Sequence, residues 1–215
     1  MQKMLYLLLL TLSIVSLNCS YIQYKYTYTN NGAFVGSTKR NIPIYIDKTF
    51  STTDKLAIDN AISQWNYALN GQIKLRVVNY NFDMEPTLIM QSRRGQGWLI
   101  LKVNSDNYAI PDDVPYKQCK LIKGCVSTLA WADRVGGSVI KVIRDRISAD
   151  AVETITLHEM GHLLSLTHNE ADLESLMYPR YGKLRYLCID YDSVMRVANA
   201  YGLNLSLMNY CVTRY

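Results

Sequence analysis

Alternating apolar and polar positions predict two strands near the start of the chain. Tyr24, Tyr26 and Tyr28 alternate with polar residues, which is the period of a strand; a carbohydrate-binding row of aromatic side chains is the alternative interpretation. A second strand is predicted from Asn41 to Ile46. We expect it near a sheet edge, because Pro43 lacks the backbone N–H that an interior strand uses.

Apolar residues at helical spacing predict a helix next. It begins at a cap of Thr53 and Asp54, continues to about Leu69 and is ended by Asn70-Gly71. Short apolar runs after this helix are typical of strands. They lie at Ile73–Val78, Thr87–Gln91, Trp98–Val103, Thr128–Ala132 and Ser138–Ile143.

Two helices are predicted in the last third of the chain. The first begins at Ser148 or Asp150 and continues to about Leu166, with Glu153 completing a capping box if Asp150 is the cap. The second covers Asp190–Tyr201. Strands and helices in this order predict the α+β class, with a twisted mixed β-sheet.

Residues 1–19 have the pattern of a secretory signal peptide. Leu5–Leu17 carries no charge, and its thirteen residues are few for a membrane span but typical of a signal sequence. Cys19 closes this segment, so both cleavage nearby and a lipid anchor on Cys19 remain open. The expected protein is exported, extracellular or attached to the cell envelope, and reaches a membrane only through such a lipid. Residues 20–215 suit a single domain.

The remaining cysteines predict disulfides. Four cysteines follow residue 19, and an even number in an exported chain favours two disulfides, with three connectivities open. Proximity along the chain favours Cys119 with Cys125 and Cys188 with Cys211. A thiolate metal site is the weaker interpretation, because the sequence has no Cys-x-x-Cys spacing.

The charge distribution argues against nucleic acid as a partner. The formal net charge is +5, but the basic residues are scattered and do not form a stripe with interleaved aromatic residues. These basic residues are explained more simply as side chains on solvent-exposed faces of the protein.

All three histidines lie within eleven residues, from His158 to His168. His158 and His162 are four residues apart, so on a helix they share a face and can bind one metal ion. Glu159 is turned about 100° around the helix and can reach a metal-bound water without becoming a ligand. Three protein ligands and a water are the arrangement of a catalytic zinc, which lowers the pKa of that water to about 7 while a general base takes its proton. A chance HExxH in an ordinary helix is the competing interpretation.

The histidine motif and the following Ser175-Leu-Met-Tyr-Pro179 resemble the metzincin metallopeptidases, whose long motif is HExxHxxGxxH followed by a methionine turn. The order of elements resembles the matrixin branch. The likeness in layout covers most of the chain after the signal, but the specific motif covers only residues 158–181. It implies a metzincin-like catalytic domain with an active-site helix and a C-terminal helix. It also implies one zinc ion held by His158, His162 and His168, with Met177 beneath the site.

The same resemblance implies how a substrate binds. In that family an edge strand pairs with an extended protein or peptide substrate, here near Thr128–Ala132. Pro179 and Tyr181 would line the pocket beside the scissile bond, although Tyr181 as an ordinary packed aromatic is the alternative. The calcium ions that the family binds cannot be placed from this sequence. We expect a monomer.

Ser165 departs from the family motif, which has glycine at this position. That glycine ends the helix in a left-handed turn, a conformation that costs other residues roughly 1–2 kcal/mol. Three outcomes are open: Ser165 adopts the turn, the helix continues and bends later, or His168 is not a ligand. In the last case an acidic residue would replace it, the candidates being Glu170, Asp172 and Glu174.

The sequence therefore predicts a secreted or surface-anchored zinc-dependent endopeptidase with Glu159 as the general base. One rival is a zinc peptidase with two histidine ligands and a downstream carboxylate. A second rival is a non-catalytic, zinc-containing envelope binding protein. The presence of Glu159 argues against the second, because a purely structural zinc has no use for that carboxylate.

Overall fold

The computed structural model describes residues 26–32, 34, 36, 38, 40–82, 97–105, 127–180 and 188–214. The predicted α+β class is confirmed, since these ranges combine a five-stranded mixed sheet with three α-helices. The elements in chain order are β1 (Tyr26–Tyr28), β2 (Arg40–Asp47), α1 (Thr52–Leu69), β3 (Ile73–Phe82), β4 (Trp98–Val103), β5 (Ala130–Ala132), β6 (Val139–Ile143), α2 (Ala151–Leu163), α3 (Tyr191–Tyr201) and β7 (Cys211–Arg214).

The five-stranded sheet has the order β3-β2-β4-β6-β5. β2 pairs in parallel with β3 and β4, and β4 pairs in parallel with β6. β5 is antiparallel to β6 and lies at the edge, the position expected for the 128–132 segment. A separate small sheet pairs β1 with β7.

The edge position predicted for β2 is wrong, because β2 lies between β3 and β4. β4 pairs with β2 only from Ile44 onward, one residue beyond Pro43. On the β4 side, β2 therefore forms no ladder hydrogen bonds at Pro43. An interior strand can accommodate a proline at such a position, because no backbone N–H is needed there.

Helices α1 and α2 share a buried interface. Trp65 of α1 is fully buried, and its indole N–H donates to the carbonyl oxygen of Leu157 in α2 at 3.0 Å. Ser51 caps α1 in a capping box with Asp54, slightly earlier than the predicted cap. The helix ends as predicted at Asn70, which has a left-handed φ of 44°.

The capping box predicted for α2 is wrong. Asp150 is the N-cap but its side chain makes no capping hydrogen bond. Glu153 instead accepts hydrogen bonds from Asn60 Nδ2 at 3.1 Å and from Gln64 Nε2 at 2.7 Å, both on α1. Packing between the two helices therefore decides where this carboxylate bonds.

A disulfide joins Cys188 to Cys211, with the Cα atoms 6.0 Å apart, and confirms that predicted pair. It links the segment before α3 to the start of β7. None of the helices in the described ranges has the length and apolar character needed to cross a membrane. Several predictions fall outside the described residues: the signal peptide and Cys19, Tyr24, the strand at 87–91, the Cys119–Cys125 pair and Tyr181.

Candidate metal centre

Helix α2 places His158 and His162 one turn apart on the same face. Their ring centroids are 4.9 Å apart and their planes are nearly perpendicular, at 87°. This arrangement follows from the four-residue spacing in the sequence.

The chain reverses sharply after α2, and Ser165 occupies the turn. Ser165 has a φ of +69°, so its backbone adopts the left-handed turn, the first of the three outcomes left open by the sequence. Its N–H donates to the carbonyl oxygen of His162 and the N–H of Leu166 donates to that of Gly161, both at 3.0 Å. These two bonds define a Schellman motif with Ser165 at the left-handed position. The predicted helix end near Leu166 is therefore wrong, because α2 stops at Leu163.

This turn brings His168 to the other two histidines. Its ring centroid lies 4.8 Å from that of His162 and 5.4 Å from that of His158. Candidate ligand atoms of the three side chains lie within 4.8 Å of one another. The Nε2 atoms of His162 and His168 are 3.2 Å apart. The three histidines form a group that could hold a metal ion.

Backbone carbonyls orient two of the imidazole rings. Nδ1 of His158 lies 2.7 Å from the carbonyl oxygen of Leu176, and Nδ1 of His162 lies 2.8 Å from that of Leu166. A carbonyl only accepts hydrogen bonds, so each Nδ1 carries the proton and donates. Nε2 of both rings therefore keeps its lone pair, as metal-binding histidines require.

Burial favours the neutral form of the histidines. It lowers the pKa of His158 to about 4, although the bond to the Leu176 carbonyl acts in the opposite direction. Burial likewise lowers the pKa of His162, against the raising effect of its bond to the Leu166 carbonyl. It also lowers the pKa of His168, against the raising effect of the charge of Glu170. Neutral imidazole is the metal-binding form, so a zinc ion fits this donor set.

Glu159 is buried beside the histidines, with only 7% of its surface exposed. Burial raises the pKa of its carboxyl to about 7, and a hydrogen bond from the backbone of Ala132 lowers it. Its Oε2 has no hydrogen-bond partner among the described residues. A buried carboxylate oxygen without a partner is costly and therefore points to a functional use.

Met177 packs directly against α2. It is fully buried, and a Cβ on Gly161 would lie 2.5 Å from its Sδ atom. Gly161 lies between the two helical histidines in the sequence, and its lack of a side chain permits the close approach of Met177 to α2. A glycine inside a helix costs about 1 kcal/mol of stability relative to alanine. Its presence in the predicted helix was therefore a sequence signal that another group packs closely against the backbone here.

Asp190 holds the segment before Met177 in place, a role that the sequence interpretation missed. Its Oδ2 accepts from the N–H of Leu176 at 2.8 Å, and its Oδ1 caps α3 by accepting from the N–H of Ser193 at 2.8 Å. The carbonyl oxygen of Leu176 accepts from His158. Asp190 therefore holds the residue whose carbonyl orients the first histidine.

The remaining sequence candidates lie around this centre. Pro179 is partly buried two residues after Met177. The three alternative acidic ligands are exposed and are not part of the histidine group. The carboxylate of Asp172 instead accepts from the backbone N–H of Glu174 at 2.8 Å.

Substitutions at Ser165 should measure the cost of its backbone conformation. We expect Ser165→Gly to have a free energy of unfolding about 1 kcal/mol higher than Ser165→Ala, because only glycine adopts a positive φ without a Cβ penalty. Ser165→Ala is the matched control, since both variants lose the hydroxyl that lies 3.3 Å from the Tyr201 hydroxyl. Denaturant unfolding in the presence of a chelator gives both values; equal stabilities would contradict the strain argument.

Neither the comparison with protein-family models nor the comparison with curated proteins finds a match for this chain. The histidine motif and the geometry of the site are therefore what indicate a function for this chain.

Proposed function

We propose that this protein is a zinc-dependent endopeptidase of the metzincin type, resembling the matrixins. The observation that carries the proposal is Glu159, whose buried Oε2 lacks a partner among the described residues and which follows His158 on α2. A structural zinc site has four protein ligands and needs no adjacent base. Three histidines beside a carboxylate with one unpartnered oxygen are better suited to hydrolysis.

His158, His162 and His168 would hold the zinc through their ring nitrogens. When bound, zinc would polarise the scissile carbonyl and make a water molecule more acidic. Glu159 acts as the general base: its carboxylate accepts a proton from the attacking water and then donates it to the amine nitrogen of the leaving peptide. The N–H of Ala132 holds this carboxylate in position.

The substrate would be a protein or peptide extended along β5. Asp133 N donates to Val139 O and Ile143 N donates to Leu129 O, so alternate residues of this segment bond to β6. The main-chain groups of Ala130 and the carbonyl of Ala132 consequently face away from β6, while the N–H of Ala132 bonds to the carboxylate of Glu159. Such a free edge supports binding by strand addition, which demands little of the substrate sequence. Pro179 and Tyr181 are the proposed pocket residues.

The proposed location is outside the cytoplasm. Residues 1–19 would act as the signal, and the Cys188–Cys211 disulfide is typical of an oxidising compartment.

Cleavage-site profiling of the zinc-loaded protein tests the proposed activity. We expect internal cleavage of unfolded proteins and of a peptide library, loss of cleavage with a chelator, and recovery when zinc is restored. Absence of turnover with zinc bound would contradict the proposal and favour the non-catalytic zinc-binding protein.

A further inference from the structure

A cleft lies at the end of the sheet where β2, β4 and β6 begin. Its volume is about 420 Å³, and Arg40 at the start of β2 and Arg134 in the β5–β6 turn both line it. Ile42, Pro43 and Trp98 contribute apolar atoms to its wall. None of the described residues that line it is acidic.

The two guanidinium groups remain available for an anion. Neither arginine forms an ion pair with another residue in the described part of the chain. Arg40 lies over the ring of Tyr201, 4.7 Å from its centroid, a contact that orients the side chain but leaves the N–H donors in the guanidinium plane free. Two arginines that form no ion pair among the described residues, and that lie beside apolar atoms, suit a carboxylate carried on a short aliphatic chain.

The acidic residue next to Arg134 in the chain, Asp133, bonds to the backbone of the β5–β6 turn. Its Oδ1 accepts from the backbone N–H groups of Ser138 at 3.0 Å and Val139 at 3.1 Å. That carboxylate therefore stabilises the β5–β6 turn, and its charge also acts on Lys141. Among the described residues it forms no ion pair with Arg134.

The cleft adjoins the proposed substrate strand. Arg134 lies in the turn two positions after Ala132, the last residue of β5, so their Cα atoms are at most about 7 Å apart. The turn that carries it is held to the metal centre, because the N–H of Gly136 donates to the carbonyl oxygen of His162 at 2.8 Å. A peptide that extends past the end of β5 therefore passes the turn that carries Arg134 to the cleft.

We infer that this cleft binds an acidic side chain of the substrate, a glutamate or aspartate several residues to one side of the scissile bond. The inference rests on the proposed endopeptidase function, which names β5 as the substrate strand. Arg134 and Arg40 bind the carboxylate, and the apolar wall contacts the methylene groups of the same side chain.

Matched peptides test this specificity. Peptides that carry a single glutamate at successive positions are compared with otherwise identical glutamine peptides, using kcat/KM for the wild type, Arg134→Gln and Arg76→Gln. Arg76 is the control because it is an exposed arginine on β3, at the opposite edge of the sheet. We expect a preference for glutamate of about fivefold at one position, lost in Arg134→Gln and kept in Arg76→Gln.

A binding measurement separates this inference from the catalytic proposal. The Glu159→Gln variant is titrated into fluorescein-labelled, alanine-based peptides that carry one glutamate or one glutamine. Arg134-dependent preference for glutamate without any cleavage by the wild type would support the cleft and contradict the endopeptidase. Cleavage with equal kcat/KM for every glutamate and glutamine pair would contradict the cleft alone.

Inorganic phosphate is the second probe, because a free oxyanion offers the same charge. We expect phosphate to compete with the glutamate peptide in the wild type and not in Arg134→Gln. If phosphate binds through Arg134 but glutamate and glutamine peptides bind equally, the cleft serves a free anion and the inference is wrong.

Discussion

Glu159→Gln is expected to abolish peptide hydrolysis while zinc stays bound. Glutamine keeps the size of the side chain and an oxygen that accepts the hydrogen bond from Ala132, but it cannot accept a proton from water. Removing a general base lowers the rate by about 10²–10⁴-fold. The measurement is kcat/KM on a peptide that the wild type cleaves, together with zinc content by mass spectrometry.

Glu170→Gln is the matched control for this variant. It removes the same charge close to His168, where Glu170 raises the imidazole pKa, but it leaves the buried carboxylate in place. We expect the control to keep most of the wild-type activity. Undiminished cleavage by Glu159→Gln, in a preparation free of other proteases, would show that another group acts as the base.

His168→Ala is expected to weaken zinc binding at least about 100-fold and to abolish activity with it. Loss of groups that merely orient metal ligands already costs 10–100-fold in affinity, so loss of a ligand should cost more. His168 is exposed and follows the end of α2, so the fold should persist. Competition with a chelator measures the affinity, and denaturant unfolding checks the fold.

The same experiment separates the two classes of zinc peptidase. Glu170→Ala, Asp172→Ala and Glu174→Ala should keep zinc affinity and activity near the wild-type values. If a carboxylate were the third ligand, one of these variants would lose zinc while His168→Ala retained it.

Local sequence pattern predicted those parts of the site that depend on neighbouring residues. The four-residue spacing placed His158 and His162 on one helix face, and β4 has the bounds predicted from its apolar run, Trp98–Val103. Chain proximity likewise favoured the Cys188–Cys211 pair. Each of these features is determined over a short segment, where backbone geometry leaves few alternatives.

Predictions failed where a distant partner determined the outcome. Glu153 fits a capping box in the sequence, but Asn60 and Gln64 of α1 offer it two hydrogen bonds across the helix interface. Pro43 suggests an edge strand, but β2 lies inside the sheet because its ladder with β4 begins only at Ile44, one residue after the proline. The role of Asp190 was missed because its partner, the N–H of Leu176, carries no side-chain signal.

By itself the sequence determined the α+β class, the two helical histidines and the carboxylate between them, because helical periodicity specifies which residues share a face. Only the tertiary structure decided the third member of the group. Ser165 lies in a left-handed turn that its own Cβ disfavours, and the hydrogen bonds from the N–H groups of Ser165 and Leu166 to the carbonyls of α2 compensate for that cost. The spacing of the three histidines along the chain does not determine that they meet. The sequence therefore left the position of His168 open, and the fold brings it to the other two histidines.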